Sequence, residues 1–196
     1  MAMARSRPPW SSRASPMTRP NVTERTPVLW INGPVAIGKS TVAFEIFRQL
    51  SDAGIKTAFI DLDQVNLCYP APEDDPLNYG VRAAGLAAVW PTFCEEGVRC
   101  VVISGIAETK AIVKAHTSLI SDARFSIVRL RVAPDELTRR FIGRGGDASG
   151  ADEAVRVAEE MDRDVAGELR VDTDGLTPIQ TADLVRTTAG GWPCLS

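Results

Sequence analysis

Histidine is nearly absent from this 196-residue chain. His116 is the only one, and the four cysteines (Cys68, Cys94, Cys100 and Cys194) include no Cys-x-x-Cys pair. A structural zinc site therefore lacks the ligands it needs, and free thiols in a reducing cytosol are the expected state of the cysteines. No apolar run reaches the length of a membrane helix. Nor is there the short apolar segment that would mark a secretion signal. An excess of positive charge is missing too. The formal net charge is −3, and because residues 1–26 hold five arginines against Glu24, net +4, the remainder carries −7. So acidic a body argues against a broad nucleic-acid surface. No segment repeats.

With 44% hydrophobic residues, the chain has enough apolar material for one domain with a full core. Residues 1–26 are rich in Ser, Pro and Arg without hydrophobic periodicity, and we expect them to be disordered. Their arginines resemble a transit peptide, but the amphipathic pattern is lacking. Met3 and Met17 are alternative candidate starts. Residues 27–196 read as the folded domain. Within it, strand and helix patterns alternate: strands near 28–31, 57–63, 100–106, 125–132 and 169–171, helices near 41–50, 81–96, 109–119, 134–144, 152–166 and 177–189. Residues 64–80 form a turn-rich insertion, and 145–151 a small, flexible stretch. Such alternation predicts an α/β domain with a parallel sheet covered on both faces and right-handed crossovers. Ligands of such sheets bind at the carboxyl ends of the strands.

One stretch at that edge carries chemistry. Gly33-Pro34-Val35-Ala36-Ile37-Gly38-Lys39-Ser40 fits Gly-x-x-x-x-Gly-Lys-Ser, the phosphate-binding loop of nucleoside triphosphatases, and sits between a strand and a helix as that motif requires. Glycine permits the positive φ that turns successive N–H groups inward around an anion. The helix N-terminus, through Ser40 and Thr41, adds unpaired donors and a partial positive charge. Lys39 supplies a cation for the β- and γ-phosphates of ATP, and the Ser40 hydroxyl a ligand for Mg²⁺.

Three further features bear on what receives the phosphate. Asp61 and Asp63 end the second strand. Asp63 is placed to accept the proton of a hydroxyl nucleophile, and Asp61 to hold Mg²⁺ through water or orient the acceptor. The plainer alternative is that both cap the following turn. Arg140 and Arg144, four apart on one helix face, precede a glycine pair and suit a lid that neutralises charge on the transferring group. Arg139 faces elsewhere. The third strand ends Ile103-Ser104-Gly105-Ile106 with no acid, and Asn-Lys-x-Asp is absent. Motor-type ATPases and GTPase switches are disfavoured.

Gly33–Ser40, then Asp61-Leu62-Asp63-Gln64-Val65, then Asp172-Thr173-Asp174-Gly175 before the last helix, resemble adenylylsulfate kinase. More broadly they resemble small P-loop metabolite kinases, including chloramphenicol phosphotransferase. The resemblance spans about residues 27–189. It implies a three-layer P-loop kinase fold with five parallel strands in the order 2-3-1-4-5 and a small arginine-bearing lid. It also implies ATP as donor, Mg²⁺ as cofactor, Asp63 as the catalytic carboxylate, and a lid arginine packed on adenine. The departures fall on the acceptor side. Adenylylsulfate kinases carry Asp-Gly-Asp-Asn and a Ser-Pro-Tyr-Arg-like segment where this chain has Asp61-Leu62-Asp63-Gln64 and Ser104-Gly105-Ile106-Ala107-Glu108. Their paired arginines are reduced to Arg82. Glu108 suits a neutral or cationic acceptor, such as an amino sugar or an antibiotic-like hydroxyl compound.

The expected activity is transfer of the γ-phosphate of ATP to a hydroxyl of a small molecule, in a cytoplasmic monomer or homodimer that binds neither nucleic acid nor membrane. Two alternatives stay open. One is a nucleotide kinase reading a base with Tyr69, Tyr79 and Arg82. The other is an ATP-binding regulatory protein with no acceptor, for which the basic tail would be the partner-binding arm.

Overall fold

The computed structural model describes residues 25–65, 67–163 and 169–194. The expected disordered segment lies, except for its last two residues, outside them. So does the end of the helix expected over 152–166. Five strands and six helices alternate: β1 Thr26–Asn32, α1 Lys39–Asp52, β2 Thr57–Asp61, α2 Tyr79–Glu95, β3 Cys100–Ser104, α3 Lys110–Thr117, β4 Ala123–Arg131, α4 Pro134–Gly143, α5 Ala148–Arg163, β5 Leu169–Asp172 and α6 Pro178–Thr188. The strands are all parallel, in the order β2-β3-β1-β4-β5. This is the order the resemblance implied. Thr26 already belongs to β1, its amide donating to Asp122 O at 2.9 Å, so the fold takes in one residue more than the expected domain. Among the described residues no helix is long and apolar enough to cross a membrane.

The central strands are apolar on both sides because both sides are covered. Leu29, Ile31, Val102, Val128 and Leu130 pack with Val42, Ala43, Ile46 and Leu50 of α1 and with Ala182 and Val185 of α6. Val28, Trp30, Val101 and Ile103 pack instead with Leu86 and Trp90 of α2 and with Ile112 and Val113 of α3. The alternation along β1 is the period of two that sends successive side chains to opposite faces. Trp90 and Trp192 are buried in this packing, and Phe93 lies against it.

Helix ends follow local chemistry. α1 closes with Ile55 N donating to Leu50 O and Gly54 N to Ser51 O, both at 2.9 Å. α2 closes the same way, Val98 N to Phe93 O and Gly97 N to Cys94 O, both at 3.0 Å. Each pair is the double bond that satisfies the last carbonyls of a helix. Thr177 and Gln180 form the expected capping box at α6. Two expectations are corrected. The flexible stretch is shorter, since α5 starts at Ala148 and leaves a break of a few residues around Gly145-Gly146. The extended segment of β2 stops at Asp61, and a turn begins at Leu62. The turn forms because the Asp61 carboxylate accepts the Asp63 N–H at 3.0 Å, a local bond that competes with continued strand.

Candidate active site

The loop between β1 and α1 has an anion cradle's backbone. Gly33, Ala36 and Gly38 all have positive φ, at 145°, 64° and 108°. A left-handed alanine is uncommon, and here it lies inside the loop. A Cβ on Gly33 would come within 3.1 Å of Ile37 Cγ2 and 3.2 Å of Leu130 O, so a larger residue would crowd both as well as strain the backbone at this φ. At the head of α1 no side chain caps the first turn and no acid lies in it. Its amides therefore remain available to a ligand, with Ser40 and Thr41 exposed beside them. Val35 is exposed at the tip, while Pro34, Ala36 and Ile37 are buried beneath. These are the donors a triphosphate requires, and the exposed Ser40 hydroxyl suits a hard cation such as Mg²⁺.

Lys39 is almost fully buried. Its ammonium donates to Pro34 O at 3.2 Å and pairs with Asp63 Oδ2 at 3.2 Å. Asp63 follows a different strand, and the parallel pairing of β2 with β3 and of β3 with β1 brings it here. Its other oxygen accepts from Ile106 N at 3.0 Å and from Arg82 Nη1 at 3.3 Å. One carboxylate thus joins the phosphate loop, the end of β3 and α2.

The segment after β3 is fixed from below. Trp30 Nε1 donates to Gly105 O at 2.9 Å. Asn32, fully buried, accepts from Gly33 N at 2.8 Å and Ala107 N at 2.9 Å, and donates to Ala107 O at 2.9 Å. A Cβ on Gly105 would stand 2.8 Å from Leu62 Cβ, so glycine is what lets this segment approach the turn that carries Asp63. Trp30 and Asn32 were not among the sequence candidates, because an apolar strand containing them reads as core. Their spacing of two places both on one face of β1, and that was the only available hint. Ser104, at the end of β3, is fully buried and its hydroxyl has no partner among the described residues.

The lid arginines divide. Arg140 Nη1 donates to Ile37 O at 3.0 Å and to Thr173 Oγ1 at 3.4 Å, while its Nε donates to Glu136 at 2.7 Å. It ties α4 to the phosphate loop and to the turn after β5. Arg144 is exposed at the C-cap of α4 and outside the helix. The shared helix face expected for the two is therefore not maintained. Arg139 points to solvent and pairs with Glu136 at 2.5 Å. The Arg139 and Arg140 guanidiniums together hold the Glu136 carboxyl down at about 2. One oxygen of Asp61 accepts from Asp63 N in the turn after β2. Beside Asp63, the Tyr79 ring lies 5.8 Å from the Arg82 guanidinium. Burial, followed by the nearby Glu108 charge, pushes the Tyr79 phenol well above its ordinary value.

A cavity of about 370 Å³ adjoins the loop at Pro34 and Ile37 and runs along Val132, Pro134, Leu137 and Val155 to Asp174. Lys39 and Asp63 do not line it. Its walls belong to the β4–α4 and β5–α6 connections and to α5, so it flanks the phosphate loop on the side opposite to α2. Buried Arg129, which pairs with Asp162, also lines it.

Solved structures superpose on this fold over nearly their whole length. The Deinococcus radiodurans tunicamycin resistance protein matches with a TM-score of 0.63 at 17% identity, covering 85% of this chain and 96% of that one. The Mycobacterium tuberculosis APS kinase, solved with AMPPNP and APS, matches at 0.57 and 19%, covering 85% and 99%. A gluconokinase from Sinorhizobium meliloti matches at 0.57 and 16%, covering 86% and 94%. The fold is that of the P-loop small-molecule kinases. No protein-family model and no curated protein sequence matches the chain. In this fold Lys39 and Asp63 meet at the carboxyl edge of the sheet, where ligands of open α/β sheets bind, and Arg140 braces the phosphate loop through Ile37 O.

Proposed function

We propose that the protein is an ATP-dependent phosphotransferase that moves the γ-phosphate of ATP to a hydroxyl of a small molecule. The contact of Lys39 with Asp63 at 3.2 Å carries this reading, because it sets a carboxylate base beside the cation of the phosphate loop. The kinase folds that superpose on the chain support it. ATP supplies the phosphoryl group; Ser40 would hold Mg²⁺, which would supply charge neutralisation there.

The residues act as follows. The amides between Val35 and Thr41 bind the phosphate oxygens. Lys39 exchanges Asp63 for those oxygens when they enter, which leaves the carboxylate free. Asp63 then accepts the proton of the attacking hydroxyl. The new O–P bond forms as the bond from the γ-phosphorus to the departing ADP breaks, and Arg82 and Ile106 N keep the carboxylate in place throughout. Arg140 holds the lid side of the site against Ile37. Such proton transfer contributes roughly 10²–10⁴-fold, and positioning with charge neutralisation supplies the rest.

The test is transfer of label from γ-labelled ATP to an acid-stable phosphate ester, with Lys39→Ala as the control. Label must be lost in that variant while its thermal unfolding stays cooperative. ATP binding that is tight but yields no phosphorylated product from any acceptor would favour the regulatory alternative.

A further inference from the structure

We propose that the outer edge of β2, with the phenylalanines beside it, is where a second copy of this chain docks, joining two sheets through an antiparallel β2–β2 pair. β2 ends the sheet and has a strand neighbour on one side only among the described residues. Beside it lie three aromatic rings in mutual contact. The Phe44 and Phe47 centroids on α1 are 5.7 Å apart, and they stand 5.8 Å and 6.1 Å from that of Phe59 on β2. Of the three, only Phe59 packs against the core between the sheet and α1. Phe44 is 53% exposed. Apolar side chains gathered into a patch, rather than scattered singly, mark an interaction surface.

The backbone of this edge is equally unguarded. Edge strands of soluble proteins carry charges, prolines or bulges that discourage pairing with another chain. The stretch Thr57-Ala58-Phe59-Ile60 holds no charge and no proline, and its register with β3 runs without a bulge. The opposite end of the sheet differs. β5 is 4 residues long and has the exposed Arg170 in its interior, with a guanidinium that donates to Asp162 O at 3.4 Å. The fold guards β5 and leaves β2 open.

Charge selects the occupant. Lys56 precedes β2, and Asp61 closes it with Asp63 two residues on. An identical strand laid antiparallel brings the basic end of each copy to the acidic end of the other, and does so at both ends of the pair. A parallel copy would set like charges side by side, which is unfavourable across neighbouring strands. A two-fold axis perpendicular to the sheet at Phe59 sets that residue opposite the partner's Phe59. Such an axis keeps the two faces of the sheet continuous. Phe59 points to the α1 side, so the Phe44 and Phe47 rings of both copies come to that same side and cover one another. The join falls immediately before the turn that carries Asp63.

Sedimentation of the full chain between about 1 and 100 µM tests this, a range that captures dissociation constants around 10 µM. A two-chain species that dissociates on dilution is the expected result. Hydrogen exchange at the two ends of the range should show the outward-facing amides of residues 57–61 slowed in the concentrated sample, and those of residues 169–172 unchanged. Phe44→Glu and, separately, Thr57→Lys should each weaken association at least about a hundredfold, because every dimer then carries two charges inside its interface. Both side chains are partly exposed, so thermal unfolding of the variants should stay cooperative. A single-chain mass throughout overturns the inference, whether the edge is then covered by another protein or by residues 1–24 of the same chain. A dimer whose 57–61 amides exchange at an unchanged rate overturns it too. So does one that a folded variant forms with wild-type affinity.

Discussion

Replacing Asp63 by Asn separates three roles that one carboxylate combines. The amide keeps the size and retains an oxygen for Ile106 N, now at 3.0 Å from the carboxylate. What it loses is basicity and the attraction to Lys39 at 3.2 Å and Arg82 at 3.3 Å. Without a base, kcat should fall by roughly 10²–10⁴, equivalent to about 3–5 kcal/mol of barrier. ATP affinity should move the other way or not at all. The ammonium of Lys39 no longer has to leave a carboxylate, and a partly exposed ion pair is worth about 1 kcal/mol or less, so tightening stays within about fivefold. Folding stability should drop by about 1–3 kcal/mol, because two cations lose a partner in a half-buried place. Steady-state kinetics, calorimetric ATP titration and thermal unfolding read the three effects separately. Wild-type turnover by Asp63→Asn with its acceptor would refute the assignment of the base. A large loss of ATP affinity would refute the exchange of partners by Lys39.

Other outcomes follow from the same geometry. Asp61→Asn should leave kcat near wild type, since the amide oxygen can still accept from Asp63 N. A raised Mg²⁺ requirement in that variant would instead show that Asp61 serves the metal. Arg140→Ala should raise the KM for ATP and cost about 1–2 kcal/mol of stability through the lost bonds to Ile37 and Thr173. Arg144→Ala should change stability by no more than about 0.5 kcal/mol, as exposed sites do. His116 is buried, packs edge-on to Trp30 at 5.2 Å, and donates Nδ1–H to Ile112 O at 2.9 Å. Burial lowers its pKa, with the bond to Ile112 opposing. The unfolded chain therefore binds the proton more readily, and stability falls as pH drops below the ordinary imidazole value of about 6.5. Thermal melts between about pH 8 and pH 5 should show this slope in the wild type, and a flatter one in His116→Phe.

Much of the fold was legible because its signals are local. Apolar runs such as Val101-Val102-Ile103 mark strands buried on both faces, and Gly54, Gly97 and the Thr177–Gln180 pair mark helix ends. The phosphate loop was legible for the same reason, since its chemistry is contained in eight consecutive residues. Its partners were harder to read. Asp63 was picked out by position after β2, but β2 itself ended sooner than its composition suggested because the Asp61 side chain bonded its own backbone. Arg144 was expected beside Arg140 on the assumption that the helix continued through it, and the helix stopped at Gly143.

The sequence alone determined the alternation of elements and the anion cradle, because backbone conformation and hydrophobic period are encoded over a few residues. Only the tertiary structure decided which charges meet. Lys39, Asp63, Arg82 and Ile106 come together through parallel strand register and helix packing, and no local pattern specifies those. It also decided that Arg82 supports Asp63. Charges separated widely along a chain interact only through the distances that folding sets between them.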